Sequence, residues 1–315
     1  MAEEILGNLK AANMFDLTSV VAVVTGGGTG IGMMISSTLL SNGATVYIIG
    51  PKQEDLDRVV KPYNDAADRT NRPGRMYGIE GDIRKKSEAK RLAEVIGKRS
   101  PYVTVLFNNA GILEGQFNKP TEATASAFVS AFFDDIPEES FSNSLATNAV
   151  GPYWLTFAFL PLLEKWKESG YGNGSRKFHP QVIMTSSMNG WTKDLATAGS
   201  SYPYAFSKSA IGHATSSLAH ELLPLGVRVN GIAPGLFTTS MSTPGGKVDE
   251  FGRSHNQDYS MYDFQVPTRP LPPSNAGGTP RDMGSLVLFL VSNEYVNGET
   301  VLIDGGTLLA HPSSY

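Results

Sequence analysis

Cysteine is absent from all 315 residues. Disulfides, thiolate metal sites and a cysteine nucleophile are therefore excluded. Charge is sparse at 18% and nearly balanced, with 26 Lys and Arg against 30 Asp and Glu, for a formal net charge of −4. Nucleic acid and anionic membranes are bound through clustered cations, so neither partner is expected. No apolar run reaches the roughly 18 residues that a bilayer-spanning helix needs. The opening Met1-Ala2-Glu3-Glu4 is acidic and lacks the basic-then-apolar order of a signal peptide, and Ser313-Ser314-Tyr315 matches no sorting signal. These absences lead us to expect a cytoplasmic protein. Three histidines, His179, His213 and His220, show no carboxylate pairing or ligand spacing, and no metal is expected.

What the chain does contain is an ordinary globular share of apolar residues, 41%, and a repeated alternation of strand and helix patterns. Short β-branched runs at Val20 to Val24, Thr45 to Ile49, Met76 to Ile79 and Val103 to Phe107 alternate with helical periods at Ile31 to Leu40, Glu54 to Val60 and Ser87 to Ile96. The rhythm resumes with a helix over Phe141 to Lys167 and a strand over Gln181 to Thr185. Then come a helix over Tyr204 to Leu223, a strand over Val227 to Gly231, a helix over Arg281 to Val291 and a strand over Thr300 to Ile303. Strand-helix alternation predicts an α/β fold, a Rossmann-type doubly wound sheet of seven parallel strands in a single domain spanning residues 1–315. The continuously apolar Val20-Val21-Ala22-Val23-Val24 fits a strand covered on both faces. Two stretches break the rhythm: an insert at about 114–140, rich in Ala, Phe and acidic residues, and Met241 to Gly278, crowded with Pro, Gly, Ser and Asn. The second follows the carboxyl end of a strand, where open α/β sheets bind ligands, and is read as a substrate lid. No internal repeat is visible.

Between the first strand and the first helix lies Thr25-Gly26-Gly27-Gly28-Thr29-Gly30-Ile31-Gly32. Glycines there let backbone N–H groups approach a pyrophosphate at a helix N-terminus. The spacing is T-G-x-x-x-G-x-G. A strict G-x-G-x-x-G begun at Gly28 fails, because its last position is Met33. Further along stand Asn108-Asn109-Ala110-Gly111, Ser187, Tyr204-x-x-x-Lys208 and Pro234-Gly235. In order and spacing these motifs resemble the short-chain dehydrogenase/reductase family, including its carbonyl reductases and 3-oxoacyl-[acyl-carrier-protein] reductase-like members. The resemblance covers about residues 18 to 306.

Tyr204 and Lys208 are four apart, which places them on one face of a helix. A free phenol titrates near pH ~10, and a neighbouring ammonium favours phenolate. Tyr202 has Phe206 in the corresponding place and lacks a lysine partner. The resemblance implies a catalytic set of Ser187, Tyr204, Lys208 and Asn148: Ser187 polarising a carbonyl oxygen, Tyr204 exchanging its proton, and Asn148 opening its helix so that a water can link Lys208 to solvent. Ser186 is the second candidate for the serine. A few more residues separate Ser187 from Tyr204 than the family usually shows, which predicts a bulge there.

For the cofactor, the resemblance implies contacts from Gly26, Gly28, Thr29, Gly30, Ile31 and Gly32 in the turn, and from Asp82 and Ile83 at the adenine. Asn108, Asn109, Ala110 and Gly111 would lie beneath the adenine, in a role more structural than chemical. Tyr204 and Lys208 would meet the nicotinamide ribose, and Pro234, Gly235 and Thr239 the carboxamide. NADP is expected over NAD, because the second strand ends Gly50-Pro51-Lys52 with no carboxylate to meet a ribose 2′-OH and with Lys52 as the nearest cation. The implied function is NADP-dependent interconversion of a ketone and a secondary alcohol, by a homodimer or homotetramer paired through Phe141 to Lys167 and Tyr204 to Leu223. Two other uses of the scaffold stay open: a cofactor-binding regulator, and a non-redox step that keeps NADP as scaffold. Phe128, Phe132, Phe133, Met188 and Trp191, with the lid, suggest a roomy apolar pocket for a bulky or acyl-chain ketone.

Overall fold

A computed structural model describes residues 1–165, 178–242, 247–255, 266–267 and 277–315. Seven strands form one parallel sheet: β1 Val21–Thr25, β2 Thr45–Gly50, β3 Arg75–Glu80, β4 Val105–Asn108, β5 Gln181–Thr185, β6 Arg228–Pro234 and β7 Thr300–Ile303. Their order is β3-β2-β1-β4-β5-β6-β7. The chain reverses direction across the sheet between β1 and β4, and ligands of open α/β sheets sit at the carboxyl ends flanking such a reversal.

The α-helices are α1 Ala2–Asn8, α2 Ala11–Met14, α3 Gly30–Ser41, α4 Gln53–Arg69, α5 Lys86–Arg99, α6 Ala125–Val129, α7 Glu139–Leu145, α8 Gly151–Glu164, α9 Tyr202–Glu221, α10 Pro280–Ser292 and α11 Thr307–Ala310. Helices α3, α4 and α10 cover one face of the sheet around Ile35, Leu56 and Val287, and α5, α8 and α9 cover the other around Leu92, Phe159 and Ile211. Strands β1, β4, β5 and β6 are buried at every position, as a strand covered on both faces requires. Helices α1, α2 and α11 were not expected from the sequence. The first two bury no residue and so leave no apolar period to read.

The single helix expected over Phe141 to Lys167 is interrupted. A π-turn, Ala146–Val150, joins α7 to α8, and residues 166–167 lie outside the described residues. The expected strand Val227 to Gly231 runs on through Pro234, a proline tolerated as the last residue of its strand. Helix α9 starts two residues before Tyr204 because Ser201 caps it. The Ser201 hydroxyl accepts the Tyr204 N–H at 3.1 Å, and Pro203 sits in the first turn, where a missing N–H costs nothing.

Of the segment expected as a lid, Met241 and Ser242 line the cavity at the carboxyl ends of the strands. The described residues 247–255 dock elsewhere, on the outer side of the glycine-rich turn and α4. There the Tyr63 hydroxyl donates to the Phe251 carbonyl at 3.0 Å and the Gly30 N–H to that of Gly252 at 3.3 Å. The remainder of Met241 to Gly278, apart from 266–267 and 277–278, lies outside the described residues.

Candidate active site

A cavity of about 1210 Å³ opens along the carboxyl ends of β1 to β6. One end is walled by the glycine-rich turn. Gly26 has a φ of +63° and Gly30 one of +52°, a region that favours glycine, and a Cβ on Gly32 would overlap the Gly26 carbonyl oxygen. Side chains are thus excluded where the turn enters α3, which leaves the backbone of Ile31 and Gly32 at a helix N-terminus facing the cavity, the Gly30 N–H being taken by the Gly252 carbonyl. The cradle fits a dinucleotide pyrophosphate on these grounds. Thr29 also lines it, whereas Gly28 and Lys52 do not; Lys52 is an exposed residue just before α4.

The turn is fastened to β4. The Thr25 hydroxyl accepts the N–H groups of Asn109 and Ala110 at 2.9 and 3.0 Å, and the Asn109 amide donates to the Thr25 carbonyl at 3.0 Å. Asn108 is buried beneath, its amide donating to the Thr156 hydroxyl at 3.2 Å. Asp82 and Ile83 line the far end with Glu80, Arg84 and Arg91. Arg84 grips the Asp82 carboxylate through both oxygens, at 2.8 and 2.9 Å, and holds its pKa down at about 2. Glu80, Arg84 and Arg91 were missed in the sequence. Glu80 is directly opposite Gly50 in the β2–β3 register and accepts the Gln53 N–H at the start of α4. Only that register puts a carboxylate beside the end of β2.

At the other end Ser187, Tyr204 and Lys208 line the wall together with Gly111, Pro234, Gly235 and Thr239. Ser187 follows β5 and hydrogen-bonds the Tyr204 side chain, and its hydroxyl lies 3.3 Å from the Pro234 carbonyl. The Ser186 hydroxyl is spent on the Lys208 carbonyl at 2.8 Å, so Ser187 is the serine that meets Tyr204. The Lys208 ammonium is buried, donates to the Thr185 carbonyl at 2.8 Å and lies 5.6 Å from the centre of the Tyr204 ring. Burial lowers the Lys208 pKa to about 8. Burial also raises that of Tyr204, with the Ser187 hydrogen bond opposing it.

Asn148 sits within the π-turn, buried behind Lys208. Its amide clips the Ile112 backbone in both directions, at 2.9 and 3.0 Å, and donates to the Ser207 hydroxyl at 2.9 Å. A π-turn at a polar residue is a frequent mark of a functional helix. Phe128 and Phe132 do not reach the cavity: they form a cluster with Phe117 and Tyr202, with ring centres 4.7 to 5.7 Å apart. Phe133 is 79% exposed and Trp191 packs on Tyr315. Among the described residues expected to build an apolar pocket, Met188 and, from the lid segment, Met241 and Ser242 line the cavity.

A family model described as short chain dehydrogenase matches residues 20–247. Short-chain dehydrogenase/reductase PhomF of Diaporthe leptostromiformis is 33% identical over the full length of both chains. The rhamnolipids biosynthesis 3-oxoacyl-[acyl-carrier-protein] reductase of Pseudomonas aeruginosa is 28% identical, over 93% of this chain and 97% of that one. Among solved structures, the Pseudomonas aeruginosa RhlG/NADP active-site complex superposes with a TM-score of 0.67 at 26% identity, over 93% of this chain and 98% of that one. With the sheet order, the glycine cradle and the serine-tyrosine-lysine wall in one cavity, these matches establish that the chain belongs to the short-chain dehydrogenase/reductase family and is an NAD(P)-dependent oxidoreductase.

Proposed function

We propose that the protein interconverts a ketone and a secondary alcohol with NADP(H), using Ser187, Tyr204, Lys208 and Asn148. The observation that carries this reading is the convergence of Ser187, Tyr204 and Lys208 on the cavity whose other end is the glycine cradle. When bound, the nicotinamide supplies the hydride to a carbonyl carbon or accepts it from an alcohol. Ser187 and Tyr204 hydroxyls hold the substrate oxygen between them. Tyr204 gives that oxygen its proton, and Ser187 stabilises the charge that develops on it. Lys208, fixed on the Thr185 carbonyl, favours the phenolate left behind. Asn148 is the positioning residue: it keeps the π-turn and Ile112 in place behind the lysine. The turn backbone from Gly26 to Gly32 would hold the pyrophosphate, Asp82 and Ile83 the adenine, and Pro234, Gly235 and Thr239 the carboxamide.

NADP over NAD is supported by the NADP complex named for the P. aeruginosa neighbour and by the lack of a carboxylate on the end of β2 itself, while Glu80, opposite Gly50 on β3, is the carboxylate that would favour a free ribose 2′-OH. Lys52 and Arg84 are the candidate cations for a 2′-phosphate. Residues 1–315 are read as one nucleotide-binding domain in the cytoplasm, with 114–140 and 241–278 as its insertions. Tyr204→Phe is expected to retain NADPH binding, followed by nucleotide fluorescence, and to lose ketone-dependent NADPH oxidation by about a thousandfold, within the usual weight of a general acid. Unchanged oxidation would remove Tyr204 from the mechanism, and stronger binding of NADH than of NADPH would reverse the cofactor choice.

A further inference from the structure

The turn at 247–255 is a small hairpin built on one carboxylate. Asp249 accepts the backbone N–H groups of Phe251 and Arg253, each at 2.9 Å, and pairs with the Arg253 guanidinium at 2.9 Å and the His255 ring at 2.7 Å. Val248 and Ser254 form an antiparallel bridge, and Gly252 closes the bend at a φ of +74°. Helix α4 holds the hairpin through Tyr63. The Tyr63 hydroxyl donates to the Phe251 carbonyl at 3.0 Å, and its ring meets that of Phe251 edge-on, with centres 6.4 Å apart.

The tip of the hairpin reaches the peptide that opens α3. The Gly30 N–H donates to the Gly252 carbonyl at 3.3 Å, and the carbonyl of the same peptide unit, that of Thr29, accepts the Met33 N–H at 3.0 Å. Both polar groups of the Thr29–Gly30 peptide are therefore engaged, which fixes the plane from which the Ile31 and Gly32 N–H groups project. Thr29, the N-cap of α3, makes no side-chain cap hydrogen bond, so the hairpin supplies an acceptor that the cap does not. Gly28 faces the hairpin as well: a Cβ on Gly252 would overlap the Gly28 carbonyl oxygen and crowd the Met33 side chain at 3.2 Å. From the cavity side Thr239 closes on Gly30, where a Cβ would lie 3.0 Å from the threonine methyl carbon. The connection between β6 and α10 thus grips the glycine-rich turn on both sides.

We infer that the 247–255 hairpin is a positioning element for the dinucleotide pyrophosphate, with Gly252 and Tyr63 as positioning residues that act through Gly28 and Gly30. None of the described residues 247–255 lines the cavity, so the hairpin shapes the cradle from behind. Its contribution is preorganisation: a turn already held in its binding shape loses less free energy to the ordering of its N–H groups when the cofactor arrives. The pyrophosphate is common to NADPH and NADH, so the effect is independent of the 2′-phosphate and of the substrate.

The test measures the Kd of NADPH and of NADH by nucleotide fluorescence, and the urea midpoint of the nucleotide-free protein, for the full-length wild type, Gly252→Ala, Gly252→Asn and Tyr63→Phe. Gly252→Ala is expected to weaken both nucleotides by the same factor, at least about tenfold, because its Cβ is driven against the Gly28 backbone. Asparagine tolerates a left-handed backbone but carries the same Cβ, so Gly252→Asn should bind no better than Gly252→Ala. Tyr63→Phe keeps the ring and removes the hydroxyl, and should weaken both nucleotides by about fivefold, the scale of one hydrogen bond. An unchanged Kd in Gly252→Ala overturns the inference, whether or not the urea midpoint falls. A loss confined to one of the two nucleotides overturns it too, as does recovery of binding in Gly252→Asn. If Gly252→Ala fails to fold, Tyr63→Phe decides: a Kd within about twofold of the wild type for both nucleotides, the scatter of a neutral substitution, would discard the hairpin as a positioning element.

Discussion

Lys208 is buried and Tyr204 half-buried at the polar ends of the sheet, and the energetic signature of that burial belongs to the lysine. In the unfolded chain Lys208 holds its proton up to about 10.5, and in the folded chain only up to about 8. Between those values folding releases a proton, so stability rises with pH; the full cost of burying the ammonium is felt only below pH 8. Lys208→Met removes the group. The stability of the wild type relative to this variant is expected to rise by up to about 1.4 kcal/mol per pH unit between pH 8 and 10, read from urea midpoints at a series of pH values. A flat difference would mean that the lysine is better solvated than its position behind Tyr204 implies. The identities of Tyr204 and Lys208 were legible in the sequence, because four-residue spacing on a helix is a local property. Their electrostatics were not, since desolvation depends on which strands and loops close over them.

The elements that aim these side chains are α9 and the α7–α8 pair. Ser201 both caps α9 and donates to the Glu114 carbonyl, so it joins the helix to the start of the 114–140 insert. Ser201→Ala is expected to cost about 1 to 2 kcal/mol of stability, measured by thermal or urea unfolding. A change below about 0.3 kcal/mol would be within the noise of surface substitutions and would show the cap to be replaceable. Helix α9 was expected from its residues with a start at Tyr204; the cap three residues upstream escaped notice because Tyr202-Pro203 reads as a turn until Ser201 is seen to hold the Tyr204 N–H. The π-turn around Asn148 was invisible for a related reason. An apolar helical period continues through it, and only the clip onto Ile112 shows where one residue has been squeezed out of register.

For the molecule as a whole, the described surface keeps Tyr153, Phe157 and Phe206 at 44, 40 and 55% exposure on α8 and α9. We propose that this exposed apolar surface on α8 and α9 is an association site. A homodimer or homotetramer is accordingly expected, and Phe157→Arg with Phe206→Arg should shift it to monomer in light scattering after gel filtration. A monomeric wild type would discard that expectation. The sequence by itself determined the seven-strand alternation, the glycine-rich turn and the order Asn148, Ser187, Tyr204, Lys208, because hydrophobic period and motif spacing are written along the chain. Tertiary structure decided what depends on contacts between distant segments. It placed the 247–255 turn against the glycine-rich turn and α4, drew Phe128 and Phe132 into a cluster with Tyr202 away from the cavity, and set Glu80 beside Gly50. Each of these outcomes is a choice among partners tens of residues away, made by packing and hydrogen-bond pairing that no local pattern records.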